Sequence, residues 1–321
     1  MIEWIRSLQR VLSRKPLKLA LFIVALALFG GAIASALRGS REGFDAFARA
    51  REQPALLAAL VVLPLVCLTL ASMSIWVLTR RFGPVGPGEM LAILGAAWLL
   101  NYLPMKPGVA GRVAYQKSVH GIDVRWSVVV VVQSIVVGAT CFAAQVLLSS
   151  LVAEKPWSEG VRAVAIASPV LAGVLLMLAP RSGATAHLWR YGAAFAFRYL
   201  DSLVWAVRYW ILLRLAGQPQ GVATSSAIAG ISQSATLIPI AGNGLGVREW
   251  MVGLAASSLP AWYGKGPSLP LAYGVSAELL NRVCEVVVAV PVGVFCLLWL
   301  LKRFGRARAL ETVAIAESVR S

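Results

Sequence analysis

Arginines and carboxylates inside long apolar segments are the residues of this chain best suited to chemistry. Arg198 and Asp201 are three residues apart and Arg208 follows seven residues later, so the three lie on one helical face. Spacings of four and three place a second set on one face of a later segment: Glu278, Arg282 and Glu285. A charge at the centre of a membrane costs about 2.5–3.5 kcal/mol, so it pairs with an opposite charge or faces a cavity. Two interpretations stay open: Arg198–Asp201 and Glu278–Arg282 are structural ion pairs, or one member of each set handles a charged headgroup.

Two apolar regions, at 88–117 and 222–260, are interrupted by proline and glycine in the same order. The first interruption contains Asn101, Pro104, Lys106, Gly108, Gly111 and Arg112. The second contains Pro239, Asn243, Gly244, Gly246, Arg248 and Glu249. Proline removes a backbone donor and glycine loosens a helix, so we predict a re-entrant hairpin in each region. The alternative is that both regions are ordinary kinked helices that cross the membrane.

A half-helix should begin after each glycine-rich turn, near Gly111 and near Gly246. Its free N–H groups and positive dipole end favour an anion, and the planar fork of arginine suits phosphate. The predicted substrate-binding residues are Asn101, Lys106, Arg112, Asp201, Arg208, Asn243, Arg248, Glu249, Glu278 and Arg282. The predicted hairpin-turn residues are Pro104, Gly108, Gly111, Pro239, Gly244 and Gly246.

Two of these residues have a second interpretation. Arg112 could be a cytoplasmic anchor whose charged head reaches the membrane surface. Glu249 could neutralise Arg248, sense protons or contact a cationic headgroup.

Composition says what kind of molecule must hold these charges. Of the 321 residues, 59% are hydrophobic and 14% are charged, and the net charge is +16. A mean hydropathy of +0.75 excludes a disordered basic chain and a soluble nucleic-acid binder. An all-α integral membrane protein remains, since a span needs about 20 mostly apolar residues. Six segments qualify as spans: 17–37, 55–79, 126–152, 161–179, 191–216 and 271–301.

The order of the spans and hairpins repeats along the chain. Residues 17–152 form a first repeat with the hairpin at 88–117, and residues 161–301 form a second repeat with the hairpin at 222–260. Because each repeat has three spans, the second enters the membrane from the opposite side. This predicts an inverted-topology repeat with a transport site between the hairpins.

Lysine and arginine indicate the orientation of the chain. A basic amphipathic segment at 1–16 precedes the first span, and a basic tail at 302–321 follows the last. Both termini are therefore predicted to be cytoplasmic, although loop 38–54 would place four arginines outside. We predict a multi-pass protein of the cytoplasmic (inner) membrane whose 1–16 segment lies on anionic inner-leaflet lipids.

Nothing in the sequence favours enzymatic chemistry. The four cysteines lie in apolar spans without C-x-x-C spacing, which is typical of buried structural cysteine. Phosphate-loop, dinucleotide and nucleophile motifs are absent, and the two histidines have no carboxylate cluster beside them in the sequence. We therefore expect no catalytic residue, no metal and no cofactor.

Three stretches carry a resemblance to a known family. They are Asn101…Pro104…Gly108…Gly111-Arg112, then Pro239…Gly244-Leu-Gly246-Val-Arg248-Glu249, and Glu278…Asn281-Arg282. With them, nearly the whole chain resembles the lysylphosphatidylglycerol synthase transmembrane-region family, the flippase-like membrane proteins. Two-domain members join this region to a soluble aminoacyl-transferase domain, which is not present before the chain ends at Ser321. The resemblance therefore implies lipid translocation rather than lipid aminoacylation.

We accordingly expect a lipid translocase that moves a phosphate-bearing lipid, with no nucleic-acid partner. Arg112, Arg248 and Arg282 would contact the headgroup phosphate. Three alternatives stay open: a small-solute secondary transporter, a membrane-embedded lipid-modifying enzyme with His120 as its base, and a non-transporting partner of a separately encoded lipid-modifying enzyme. Homo-oligomerisation is also left open.

Overall fold

The structure, a computed structural model, describes residues 52–102, 107–178, 187–237, 242–263 and 270–305, with helical positions between 23 and 34 and the helical backbone of 306–320. Within these ranges the chain forms α-helices and no strand, as the predicted all-α class requires. The helices are α1 Pro54–Thr79, α2 Pro87–Leu100, α3 Pro107–His120, α4 Val124–Ala153, α5 Glu159–Met177, α6 Leu188–Leu215, α7 Val222–Leu237, α8 Val247–Trp262 and α9 Leu271–Arg320. A 3-10 turn at Gly242–Gly244 precedes α8.

Proline explains where the first three helices begin. α1, α2 and α3 start at Pro54, Pro87 and Pro107, because the first helical position needs no N–H donor and suits the fixed φ of proline. α3 therefore begins about one turn before the start predicted near Gly111. Gly108 and Gly111 lie inside this helix rather than in a turn.

Four helices are long and apolar enough to cross a membrane: α1, α4, α5 and the Leu271–Gly305 part of α9. They expose large apolar side chains, such as Val62, Val136, Leu171 and Phe295. Many arginine and glutamate side chains are buried instead, which reverses the usual arrangement of a water-soluble protein. The chain is a multi-pass membrane protein.

The predicted span at 191–216 corresponds to α6, the helix at the centre of the bundle. α6 packs against α1, α4, α5, α7 and α9. It has 28 residues but does not belong to the four most apolar helices, because it carries five charged residues. Its neighbours enclose two of these charges, Asp201 and Arg208, and keep them away from lipid.

Both interrupted regions consist of two short helices that pack on each other. α2 and α3 have 14 residues each, and α7 and α8 have 16 each. At 1.5 Å per residue these helices are about 21–24 Å long, which is less than the roughly 30 Å of membrane hydrocarbon. We call them the first pair (α2–α3) and the second pair (α7–α8).

The long helices contact these pairs in a crossed pattern. α2 of the first pair packs against α9, the last helix of the second half of the chain. α7 of the second pair packs against α4, the last helix of the first half. α1 and α6 also pack against each other, and one short helix of each pair thus contacts a long helix of the other half of the chain.

Several predicted features lie outside the described residues. They are the 1–16 segment, most of the span at 17–37, Pro104, Lys106 and Pro239. The basic tail predicted at 302–321 is helical as far as Arg320, as a continuation of α9. After Gly305 its sequence is rich in good helix formers such as alanine, arginine and glutamate and has no proline, which explains the continuation.

Candidate functional site

One face of α6 carries the first set of predicted charges. The Nη1 of Arg198 lies 2.5 Å from the Oδ2 of Asp201, so the ion pair predicted by their spacing is present. Asp201 is buried, whereas the Arg198 side chain is 21% exposed. Arg208 lies two turns further along α6 and is buried.

One face of α9 carries the second set, to which the structure adds an asparagine. Glu278, Asn281, Arg282 and Glu285 follow each other at spacings of three, one and three residues, and all are buried. The Nδ2 of Asn281 donates to both oxygens of Glu278, at 3.4 and 3.2 Å. This bond holds the carboxylate of Glu278 on the inner face of α9.

Arg248, on the first turn of α8, joins α8 to the α9 set, and Arg208 joins that set to α6. The Nε of Arg248 lies 2.7 Å from the Oε1 of Glu278, and its Nη2 lies 3.2 Å from the Oε1 of Glu285. Glu285 also accepts a hydrogen bond from the Nη2 of Arg208 at 3.1 Å. A second bond links the Nη2 of Arg208 to the Oδ1 of Asn281. Three helices are thus joined by charged hydrogen bonds, which are stronger than neutral ones.

Glu249 does not pair with its sequence neighbour Arg248. Its Oε1 instead accepts a hydrogen bond from the Nε of Arg282 at 2.9 Å. Glu278, the partner that helical spacing predicts for Arg282, is further away at 3.6 Å. The Nη2 of Arg282 also donates to the backbone oxygen of Asn243 at 2.8 Å, which ties the turn before α8 to α9.

We call these six charged residues the central cluster: Arg208, Arg248, Arg282, Glu249, Glu278 and Glu285. Three arginines face three carboxylates, and the nearby Arg198–Asp201 pair adds one of each. The formal charge of the whole arrangement is balanced. The arginines of this arrangement therefore form ion pairs with buried carboxylates.

Neutral side chains that the sequence did not single out complete the cluster. Tyr209 donates to the Oε2 of Glu278 at 2.5 Å, and Ser232 of α7 accepts from the Nε of Arg248 at 2.8 Å. The ring of Trp205 lies 3.9 Å from the guanidinium carbon of Arg208, as a cation–π contact requires. Trp205 is three residues before Arg208 and therefore lies on the same face of α6. This spacing could have identified Trp205 as a neighbour of Arg208 from the sequence.

A cavity of about 230 Å³ adjoins the central cluster. Its charged and polar wall contains Asn101, Arg198, Asp201, Arg208, Gln233, Asn243, Arg248 and Glu285. Its apolar wall comes from α1 and α2 and includes Leu68, Ala71, Leu94 and Trp98. We call this space the central cavity.

Some polar atoms of the central cavity's wall have no partner among the described residues. They are Asn101 Oδ1, Asp201 Oδ1, Arg208 Nε and Gln233 Nε2, and each is buried. A buried polar atom without a hydrogen bond is unfavourable, so these atoms are available to a polar ligand. The cavity can accept both hydrogen-bond donors and acceptors.

The turn before α8 explains how Arg248 reaches this cluster. Asn243, Gly244 and Gly246 have φ angles of +48°, +72° and +82°, in the left-handed region that glycine adopts readily. This sharp reversal ends at Gly246, and α8 begins at Val247. The helix start predicted near Gly246 is therefore confirmed.

Arg112 lies away from the central cluster. It is buried on α3 and lines a second cavity between α2, α3 and α9. Asn101, by contrast, ends α2 and lines the central cavity. The structure thus brings together the predicted residues of α6, α8 and α9 and places Arg112 elsewhere.

His120, the base considered for an enzyme, also lies apart from the cluster. Its Nε2 is 2.9 Å from the Oε1 of Glu89, which also accepts from the hydroxyl of Tyr115 at 2.8 Å. Arg303 of α9 lies 3.4 Å from the other oxygen of Glu89. These contacts join the start of α2 to the end of α3 and to α9. No group of three or more His, Cys, Asp or Glu that could hold a metal occurs in the described part of the chain.

Comparisons with protein-family models, with curated proteins and with solved structures find no match for this chain. The resemblance to the flippase-like membrane proteins therefore stays a prediction that depends on the motifs quoted above.

Proposed function

We propose that this protein is a lipid translocase that moves a phosphate-bearing lipid between the leaflets of the cytoplasmic membrane. The observation that carries the proposal is the two-sided character of the central cavity. Charged residues of α6, α8 and α9, among them Arg208, Arg248 and Asp201, line it together with apolar residues of α1 and α2. Such a space suits a molecule whose headgroup is polar and whose chains remain in the bilayer.

The position of the apolar wall gives the lipid a route. Leu68 of α1 and Leu94 and Trp98 of α2 line the cavity and are only half-buried. Acyl chains can therefore pass between α1 and α2 while the headgroup occupies the charged wall. A small-solute transporter would need an enclosed site without such an apolar side.

The balanced formal charge of the central cluster together with the Arg198–Asp201 pair favours a headgroup with both signs of charge. Arg208 and Arg248 can donate to a phosphate, whereas Asp201 and Glu285 can receive an ammonium group. A headgroup with phosphate alone would leave the buried site with a net negative charge, which is unfavourable at membrane depth. The preferred substrate is therefore a phospholipid that also carries a cationic group.

The helix pattern supports the proposed topology of six spans and two re-entrant hairpins. In each half of the chain, long helices are followed by two helices too short to cross the membrane and by another long helix. The crossed packing of α2 on α9 and of α7 on α4 is the pattern that two halves related by a pseudo-two-fold axis would make. Because each proposed half has three spans, the second half is inverted relative to the first. The pseudo-two-fold axis therefore lies in the membrane plane, and both termini are cytoplasmic.

The test is lipid exchange in vesicles that contain the purified chain. Headgroup-labelled phosphatidylethanolamine and phosphatidylglycerol are incorporated, and the label reached by an impermeant quencher is followed with time. We expect faster exchange of phosphatidylethanolamine than in protein-free vesicles. Asp201→Asn should slow it about tenfold, since it removes one charged contact to the headgroup.

Arg214→Gln is the matched control, because Arg214 is also on α6 but is exposed and outside the cavity. It should exchange lipid like the unmodified chain. Exchange no faster than in protein-free vesicles would overturn the proposal. Phosphatidylglycerol exchange as fast as that of phosphatidylethanolamine would overturn the preference for a headgroup with both charges.

A further inference from the structure

Arg112 is a buried arginine of a different kind from those of the central cluster. It is 7% exposed, and no hydrogen bond or ion pair joins it to the rest of the described chain. Its Nε atom is buried without a partner. Arg208, Arg248 and Arg282 are equally buried, but each contacts a carboxylate.

The space beside Arg112 is a cavity of about 230 Å³, which we call the α3 cavity. Besides Arg112, its described lining is mostly apolar and comes from α2, α3 and α9, with Ile93, Leu300, Leu301 and Phe304 among its larger side chains. No carboxylate is among the described lining residues. The hydroxyl of Tyr115 is already bound to Glu89, and Arg112 is the only charged residue among the described ones that line this space.

Two glycines of α3 that line this cavity have different surroundings. A Cβ atom at Gly108 would lie 2.4 Å from the backbone oxygen of Ala97, so glycine there allows α3 to approach α2 closely. A Cβ atom at Gly111 would meet nothing within 4 Å. The wall of the cavity at Gly111 therefore has room that no described side chain fills.

A guanidinium buried in apolar surroundings is unfavourable unless an anion neutralises it. Glu89, the carboxylate on α2, is already bound by His120, Tyr115 and Arg303. Among the described residues no carboxylate is left to pair with Arg112, so we infer that its partner is an external anion. The first turn of α3 lines the same cavity at Gly108, and the positive end of a helix adds to the attraction.

We propose that the α3 cavity binds an anionic phospholipid. The phosphate accepts hydrogen bonds from the Arg112 guanidinium, and an acyl chain lies along Leu300, Leu301 and Phe304 of α9. The apolar lining selects a lipid over free phosphate, because phosphate alone leaves that surface without contacts. A single cation without a carboxylate selects an anionic lipid, in contrast to the central cavity, where carboxylates lie beside the arginines. This site is separate from the translocation site and does not depend on the proposed function.

Native mass spectrometry of the full chain in detergent tests the proposal. Dioleoylphosphatidylglycerol and dioleoylphosphatidylcholine are titrated onto the unmodified chain, Arg112→Gln and Arg125→Gln. Arg125 is the control. It is the second residue of α4, its side chain is 74% exposed, and its ion-pair partner is Asp123. We expect Arg112→Gln to weaken binding of phosphatidylglycerol about tenfold, since it removes a bidentate charged contact. Arg125→Gln should leave it unchanged, and phosphatidylcholine should bind weakly to all three proteins.

A second variant separates the lipid from a free anion and guards against misfolding of Arg112→Gln. Gly111→Leu keeps Arg112 and extends a side chain into the open wall, so it should weaken phosphatidylglycerol binding while the chain stays folded. Inorganic phosphate at millimolar concentration should not raise the unfolding temperature of the unmodified chain. Phosphatidylglycerol affinities that are the same in the unmodified chain and both variants would overturn the proposal. Stabilisation by phosphate alone, lost in Arg112→Gln, would overturn the assignment to a lipid.

Discussion

The two helix pairs have similar sequences around their arginines but use them differently. In the second pair, Arg248 follows a left-handed turn and lies among Glu278, Glu285 and Ser232. In the first pair, Arg112 lies inside α3 beside a cavity that no carboxylate lines in the described part of the chain. The same order of proline, glycine and arginine thus places one charge in a network and leaves another without a counter-charge. The surrounding helices, rather than the motif, determine what each arginine binds.

Glycine also has a different role in each pair. Gly244 and Gly246 adopt positive φ angles that residues with a Cβ atom adopt only with strain. Gly108 is an ordinary helical glycine that lets the backbone of α2 come close, and Gly111 borders open space. The second pair depends on glycine for backbone conformation and the first depends on it for packing.

The largest effect is expected from removing the matched charge of the second pair. Arg248→Met leaves Glu278 and Glu285 with less compensation inside the bundle, and the free energy of unfolding should fall by about 3–5 kcal/mol. Unfolding by a denaturing detergent, followed by circular dichroism, measures this change. The double variant Arg248→Met/Glu278→Gln should recover a large part of the loss, because it removes one unpaired carboxylate. A double variant no more stable than the single one would contradict the network.

A close helix contact in the first pair is expected to give the next effect. Gly108→Ala forces its Cβ against the backbone of Ala97 and should lower the free energy of unfolding by about 1–3 kcal/mol. Gly111→Ala is the control, since it has open space and alanine favours a helix. It should be neutral or slightly stabilising in the same detergent titration. Equal losses in the two variants would show that α3 does not approach α2 at Gly108.

The turn of the second pair should be less sensitive. Gly246→Ala must hold a φ of +82°, and the left-handed region costs about 1–2 kcal/mol for a residue with a Cβ atom. The expected loss of unfolding free energy is of that size and is measured in the same way. Gly253 is an unsuitable control because it is tightly packed, so Gly111→Ala serves here too. A fully neutral Gly246→Ala would mean that the turn relaxes to another conformation.

The smallest effect is expected at the unmatched charge of the first pair. Arg112→Met removes an uncompensated buried cation, so stability in lipid-free detergent should stay unchanged or rise by up to about 2 kcal/mol. Added phosphatidylglycerol should raise the unfolding temperature of the unmodified chain but not that of the variant, because a ligand stabilises only a state that binds it. A loss as large as that of Arg248→Met would remove the difference between the two pairs.

Much of the helical framework was predictable from the sequence. The predicted spans at 55–79, 126–152 and 161–179 agree with α1, α4 and α5 to within two residues at each end. Long apolar runs identify such helices because nothing else in the chain resembles them. The start of α3 was harder to place, since a proline that begins a helix and a proline that breaks one look alike without their neighbours.

The candidate site was predictable in its charges but not in its pairing. Helical spacing correctly indicated the Arg198–Asp201 pair, which depends on one helix alone. It could not show that Glu249 contacts Arg282 rather than Arg248, because that choice depends on how α8 packs against α9. Ser232 and Tyr209 had no special signal, since a serine or tyrosine in an apolar helix has many uses.

The sequence by itself therefore determined the all-helical membrane class, the positions of most long helices and the residues that carry charge inside them. These properties follow from local composition and from the 3.6-residue period of the helix. Only the tertiary structure decided which charges neutralise each other, which arginine has no partner and where the cavities lie. Electrostatic energy depends on distances between atoms of different helices, and packing sets those distances. The chain order of the residues does not contain them.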